Sequence, residues 1–451
     1  MNAKSLIFSA TLMLAISFCA SAQSLSDLQG LFGRQQTREQ ENAVKVDYNV
    51  DFHYFFDMRS FGASSDIFMD SETINVARFS PSAVLRFDQR RGVTHRLSLG
   101  VDLTKDLGVN PVKSSEFPSE QDPAIANTGL MKDIFFYYNY MHRTGRGLLG
   151  FYAGIHPRTV LEGDYTRAIF ADDIIYYDPN IEGVTVQYSS PRFKAELTAD
   201  LMGKKGIERI GAWMVFSSGE FKAAKWLGLG WSGAFTQASG SILRNCDVDL
   251  GTFNPYLRFD FAPLTGMQEL YLKAGGILSY QQDRKVLFED EETGEYVVDS
   301  PHFPLGAEAV LGIRNWNIGL ENTFYFGDNQ MVYKGSKYAD HTFVERYAPF
   351  VYQGEAFYFT RRNAPVWYDR LEAYWEPLET GFLKCRLSAI GHFVTPAGEI
   401  GPYIGMQAKA SLIFNLDAFR HPRETFSAGR STQRNSGNRD RRRSGGPLFS
   451  L

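Results

Sequence analysis

The sequence predicts an all-β fold, a transmembrane antiparallel β-barrel of about sixteen strands. Three observations predict it: apolar residues recur at every second position, connectors alternate between short and long, and aromatics gather at strand ends. The chain has 451 residues, 44% hydrophobic and 22% charged, a composition too apolar for wholesale disorder. Its mean hydropathy of -0.26, without an internal run of about 18 apolar residues, excludes a helical membrane bundle. A membrane barrel stays allowed, because its strands are only half apolar.

The N-terminus reads as a secretory signal over residues 1–22. Lys4 supplies the positive start, residues 6–20 the apolar stretch, and Ala20-Ser21-Ala22 the small-residue cleavage site before Gln23. Residues 23–42 form a short polar lead-in. Cleavage leaves Cys246 and Cys385, too few cysteines for a disulfide scaffold.

From residue 43 the period is two. In 44–56 the even positions are Val44, Val46, Tyr48, Val50, Phe52, Tyr54 and Phe56. The odd positions hold Lys45, Asp47, Asn49, Asp51 and His53, with Phe55 the exception. A strand puts these sets on opposite faces; a helix mixes them. Seven apolar positions span about 20–23 Å at roughly 3.3 Å per residue, enough for a tilted strand to cross a bilayer. The pattern returns at Leu97–Leu103, Phe193–Leu201 and Met406–Leu416.

Predicted strands are 43–57, 76–89, 94–105, 132–143, 147–157, 183–190, 192–202, 207–217, 226–237, 253–262, 268–281, 305–314, 316–327, 368–376, 382–393 and 403–416. Tight turns such as 90–92, 144–147 and 377–381 mostly alternate with long loops, including 106–131, 158–182, 282–304 and 328–367. Segments 170–178 and 347–359 look strand-like, but counting either alone would put later long loops on the turn side. Assigning both to loops gives an even number of strands. Tyr54, Phe56, Phe79, Phe324 and Phe326 lie at one end of the apolar face, and Phe87, Trp316, Trp375 and Phe414 at the other, as interfacial girdles do. The barrel thus spans 43–419. Residues 420–451 form an Arg-rich tail of disordered composition, with charge +6 against -11 for residues 23–419. The overall charge of -4 gives no reason to expect nucleic acid.

On strand count, loop alternation and the closing strand with Leu412, Phe414 and Leu416, the chain resembles the sixteen-stranded porins of Gram-negative outer membranes. It departs from them in the tail that follows the last strand. The resemblance implies an outer-membrane location, lipid around the barrel, small hydrophilic solutes as cargo and a homotrimer. It also implies that the third long loop, here 158–182, folds into the lumen. That loop carries Glu162, Asp164, Asp172, Asp173, Asp178 and Glu182. Strand parity points Lys45, Arg78, Arg86, Arg96, Arg370, Lys384, Arg386 and Lys409 inward, on strands that become neighbours when the barrel closes. An acidic loop opposite a basic wall would set a transverse field across the pore. Asp47, Asp51, Asp88, Asp102 and Glu372 share that wall and equally suit interior ion pairs.

Enzyme signals are thin. The eight histidines lack metalloprotease spacing, Gly230-Trp231-Ser232-Gly233-Ala234 misses the nucleophile elbow, and Gly145–Gly150 matches a dinucleotide motif without the helix it needs. Asp172, Asp173 and Asp178 make only a weak oxygen-rich set for Ca²⁺. No catalytic residue, metal or cofactor is expected. The sequence reads as a diffusion porin. The alternatives are a specific transporter for a sugar or hydrophobic compound, with aromatic loop 328–367 at its mouth, and a plugged barrel acting as enzyme or secretion partner.

Overall fold

The computed structural model describes residues 44–416, apart from 62–70, 72, 90–91, 108–130, 173, 203–209, 241–246, 285–286, 290–295, 299, 331–353, 359–365 and 396–402. The signal, the lead-in and the Arg-rich tail lie outside the described residues. The strands are β1 (Val44–Phe61), β2 (Thr73–Gln89), β3 (Val93–Asp106), β4 (Met131–Arg143), β5 (Leu148–Pro157), β6 (Asn180–Ser189), β7 (Phe193–Leu201), β8 (Ile210–Lys222) and β9 (Leu227–Gly240). They continue as β10 (Asp247–Asp260), β11 (Glu269–Asp283), β12 (Leu287–Glu289), β13 (Tyr296–Val298), β14 (Leu305–Asn315), β15 (Ile318–Gly327), β16 (Val366–Glu379), β17 (Leu383–Thr395) and β18 (Tyr403–Asn415). β12 and β13 form a separate hairpin, and the other sixteen close into one antiparallel barrel. β1 pairs with β18 from Asp51↔Asn415 to Phe61↔Gly405, so the sixteen-stranded sheet has no open edge.

Period two becomes two faces. Val46, Leu197 and Phe326 are 79%, 52% and 54% exposed on the outside, while their neighbours Thr198 and Tyr325 are buried inside. The outer face needs an apolar surrounding to balance that area; the inner face satisfies its polar groups on itself. Each rim has its own kind of connector. One carries short turns, including 144–147, 190–192 and the two-residue turn Trp316-Asn317; the other carries the long loops. Trp316 and Asn317 both have positive φ (50° and 62°), the backbone of a primed hairpin turn.

Boundaries differ from expectation where pairing outruns the hydropathy signal. β10 starts at Asp247 rather than 253, because 247–252 pair with β9 and 248–252 also with β11. β6 starts at Asn180, opposite Pro157, rather than at 183. The loop after β5 is therefore 158–179, and Glu182 belongs to a strand.

The inner face has apolar exceptions, and loops sit on them. Phe55, Ile74 and Val76 form an inward apolar patch with Ile413 and with Ile175, from the single helical turn Ile174–Tyr177 of loop 158–179. Ile181, Met214 and Phe216 receive Leu161, Tyr165 and Phe170 of the same loop. Ile277, Tyr325, Tyr368, Val394 and Ile404 surround Ala168 from that loop, with Phe357 and Tyr358 from the connector between β15 and β16. Three apolar islands thus hold two loops inside the lumen.

Candidate functional site

Loop 158–179 begins at a clamp. Arg158 is buried; its guanidinium bonds the Asp178 carboxylate (2.5 Å) at the other end of the loop and Asp200 on β7 (2.9 Å). The 158 N–H donates to the carbonyl of Pro179 at 2.8 Å, so the loop is closed at its base.

From there the chain runs extended along the inner wall. Alternate backbone N–H groups find acceptors on successive strands: Glu162 on the Glu196 carboxylate (2.8 Å), Asp164 on Ser218 Oγ (3.0 Å) and Thr166 on Ser232 Oγ (3.3 Å). Glu196, Ser218 and Ser232 are register partners across β7, β8 and β9, so the loop follows one circumferential row. Gly163 allows this approach. A Cβ there would stand 2.5 Å from Glu196 Oε1 and 2.8 Å from Ser218 Cβ. The Asp164 carboxylate meets Lys273 (3.3 Å) and Arg258 (3.7 Å) on β11 and β10, and the Thr166 hydroxyl donates to Glu308 on β14 (2.6 Å).

The loop tip then crosses to the far wall. Arg167 pairs with Asp172 of its own loop and with Glu321 on β15 (3.2 Å). Asp172 reaches Lys409 on β18 (2.6 Å) and Arg370 on β16 (3.5 Å). Arg370 also binds Glu372 (2.8 Å), which binds Arg386 on β17 (2.7 Å); Arg386 continues to Glu376 (3.1 Å), and Glu376 to Arg314 on β14 (2.9 Å). Burial pushes the Asp172 carboxyl up, but Arg167, Lys409 and Arg370 outweigh it and hold that group well below the usual carboxylate range.

Of the expected acidic set, Glu162, Asp164, Asp172 and Asp178 lie on this inward loop. Glu182 does not: it is exposed on β6, at the outward parity of Val184 and Val186. Asp173 lies outside the described residues. Of the expected basic wall, Arg370, Arg386 and Lys409 converge on the loop tip. Arg78 stands apart, paired with Asp102 and within 3.2 Å of Asn180. Arg86 pairs with Asp88 (2.9 Å) near the short-turn rim, Arg96 is half-buried on β3, and Lys45 and Lys384 are exposed at the second positions of their strands. The loop carboxylate Asp172 therefore rests against the basic wall instead of facing it across a gap.

Sequence reasoning saw Arg158 and Arg167 only as loop charges set against the acidic set, and missed Arg258, Lys273, Glu308 and Glu321. The last four sit at inward parity on β10, β11, β14 and β15, where the rule applied to the basic wall would have found them. It also missed the flat tyrosines that carry cations. The Arg386 guanidinium lies 3.8 Å from the Tyr374 ring centre, Arg258 4.0 Å from Tyr271 and Lys273 Nζ 4.3 Å from Tyr256. Tyr374 lies flat because Gly319 faces it; a Cβ there would be 2.2 Å from the ring.

No family model matches the chain, and no curated protein matches it. Solved structures do resemble it. OccAB3 of Acinetobacter baumannii shares 7% identity and a TM-score of 0.41 over 82% of this chain and 99% of its own. The outer membrane protein OprD of Pseudomonas aeruginosa shares 10% at 0.41, over 84% of this chain and 95% of its own. Salmonella typhi OmpF, in complex with daunomycin, shares 10% at 0.39, over 83% and 98%. At these values the chain's own geometry has to carry any reading of its function.

Proposed function

We propose that this chain is an outer-membrane channel passing small hydrophilic solutes by passive diffusion, with loop 158–179 as its size filter. The observation that carries the reading is one loop inside a barrel of apolar exterior, tied to inner walls on opposite sides through the Asp172–Lys409 and Glu162–Glu196 contacts. An apolar outer face suits lipid, and charged side chains on the inner face suit hydrated solutes. The short-turn rim then faces the periplasm, and the long loops face outward. Ion selectivity comes from the Arg167, Arg370, Arg386 and Lys409 cluster and its carboxylates, in a confined space where charge acts strongly.

The test is reconstitution into planar bilayers with single-channel recording across several salts and sugars. Discrete conductance steps are expected, and neutralising Lys409 and Arg386 together should shift the reversal potential toward cations. A folded, heat-modifiable protein that never conducts would overturn the reading. A second reading, a substrate-specific channel, is favoured by the 354–358 turn, which adds Phe357 and Tyr358 to the lumen. Block of the current by one defined solute at low concentration would select it.

A further inference from the structure

The short-turn rim is divided by charge. Turns 144–147, 190–192 and 223–226 carry Arg146, Arg192 and Lys225, and Lys222 ends β8; all four are exposed. Among the described residues none of these four cations has a carboxylate partner. Glu220, two residues before Lys222, is the register partner of Lys194 across β7 and β8. On the other half of the rim the cations are neutralised. Arg314 pairs with Glu269 (3.5 Å), Glu376 (2.9 Å) and Glu379, and Lys384 stands opposite Glu379 in the β16–β17 ladder.

The basic half is a continuous strip. Turn 144–147 lies against the end of β6, where a Cβ on Gly147 would stand 2.6 Å from the Ser189 carbonyl. The Lys222 N–H donates to the Arg192 carbonyl (2.8 Å), and the Asp260 N–H to the Trp226 carbonyl (2.8 Å). Neighbouring turns are thus tied together, and the like charges they hold raise a local potential that draws in anions.

An aromatic band borders the strip on the outer face. Tyr188, Phe193 and Trp231 meet in series, with ring centres 6.1 and 6.3 Å apart, and Trp226, Phe259 and Phe261 stack at 6.3 and 6.4 Å. Trp226 is 48% exposed, and exposed Phe221 and Leu229 continue the apolar surface toward mid-barrel. Cations, then aromatics, then an apolar wall repeat the order of an anionic headgroup, its interface and its acyl chains. A soluble anion would match the cations alone.

We propose that this strip binds anionic phospholipid in the leaflet that meets the short-turn rim, with Arg146, Arg192, Lys222 and Lys225 on the phosphate and Trp226 at the headgroup boundary. Trp316, 84% exposed on the neutralised half, has the same interfacial setting without free cations, so the lipid beside it is not selected by charge. One cation near a charged lipid surface favours that lipid by about fivefold.

The inference needs the barrel in a bilayer but not conduction, so a barrel that never conducts leaves it standing. Two single-tryptophan barrels, one keeping Trp226 and one Trp316 with the other tryptophans replaced by Phe, are folded into phosphatidylcholine vesicles holding a minor fraction of phosphatidylglycerol, with bromine on one lipid or the other. Quenching should place phosphatidylglycerol beside Trp226 at about fivefold or more over its bulk share, and beside Trp316 at its bulk share. Arg146→Gln, Arg192→Gln, Lys222→Gln and Lys225→Gln together, in a barrel with a heat-modifiable folded band, should bring Trp226 to the Trp316 value. Equal quenching at the two tryptophans, or a preference that survives the four substitutions, overturns the lipid site. Wild type supplies a check without tryptophan replacement: extracted from an equimolar mixture, it should retain phosphatidylglycerol over phosphatidylcholine by mass spectrometry. Retention in proportion to the mixture overturns the site as well.

Discussion

Arg158 shows how much one side chain does in this lumen. It is buried and joins the two ends of the inward loop to β7, and Asp200, its partner on the wall, is buried as well. A buried pair adds little over an apolar pair of the same shape, but removing one member strands the other charge. Arg158→Ala should therefore destabilise the barrel by about 3–5 kcal/mol in urea unfolding from vesicles, whereas Arg158→Ala with Asp200→Ala should recover part of that loss. A single variant as stable as wild type would show that Asp200 is solvated. Gly163 is the second sensitive residue. Gly163→Val has no room between Glu196 and Ser218, so the loop must lift off the wall and the channel should pass larger sugars than wild type in a liposome-swelling assay.

At the level of elements, the inward loop is held by polar and apolar contacts of different reach. Its backbone N–H groups on Glu196, Ser218 and Ser232 position it, and the Ile175 contact with Phe55, Ile74, Val76 and Ile413 supplies one of its three apolar docking points. Ile175→Asp sets a charge among apolar side chains, which is expensive without a partner. Larger and noisier conductance is expected, with the β-content of the circular dichroism spectrum unchanged; a wild-type trace would mean that the polar row and the other two apolar islands seat the loop without Ile175. These docking points were half legible. Phe55 stood out as the one inward apolar residue within 44–56, and Phe61, Ile74, Val76, Ile277, Tyr325, Tyr368 and Val394 break the same rule further along β1 and on other strands. Each break marks where a loop lands. Which loop lands there was not legible, because Glu355, Phe357 and Tyr358 read like any aromatic connector until the fold brings them beside Arg167 and Glu308.

Across the whole molecule the strands were legible and the lumen was not. Lipid-facing and inward positions impose opposite chemistry on adjacent residues, so each strand announces itself locally, and only boundaries such as 180 and 247 moved. Ion pairs such as Arg167–Glu321 and Lys409–Asp172 join residues far apart in the chain and leave no local pattern. The outer face has its own test. Leu197→Arg should cost about 2–4 kcal/mol for folding into a bilayer if this face meets the hydrocarbon midplane. A negligible cost would mean that Leu197 faces water or protein.

The seam where β1 meets β18 also bears on assembly. Its side-chain bonds, Gln407 to Asp57 and Asn415 to Asp51, join residues separated by 350 and 364 positions. Every other barrel pairing joins strands that follow one another in the chain, apart from β11 and β14 across the small β12–β13 hairpin, but this last junction must bring together the two most distant edges, a contact with a large entropic toll and a slow rate. Until it forms, the nascent curl offers two raw borders to any extended polypeptide nearby. The vulnerable interval in the life of this molecule is thus the one before its first strand finds its last.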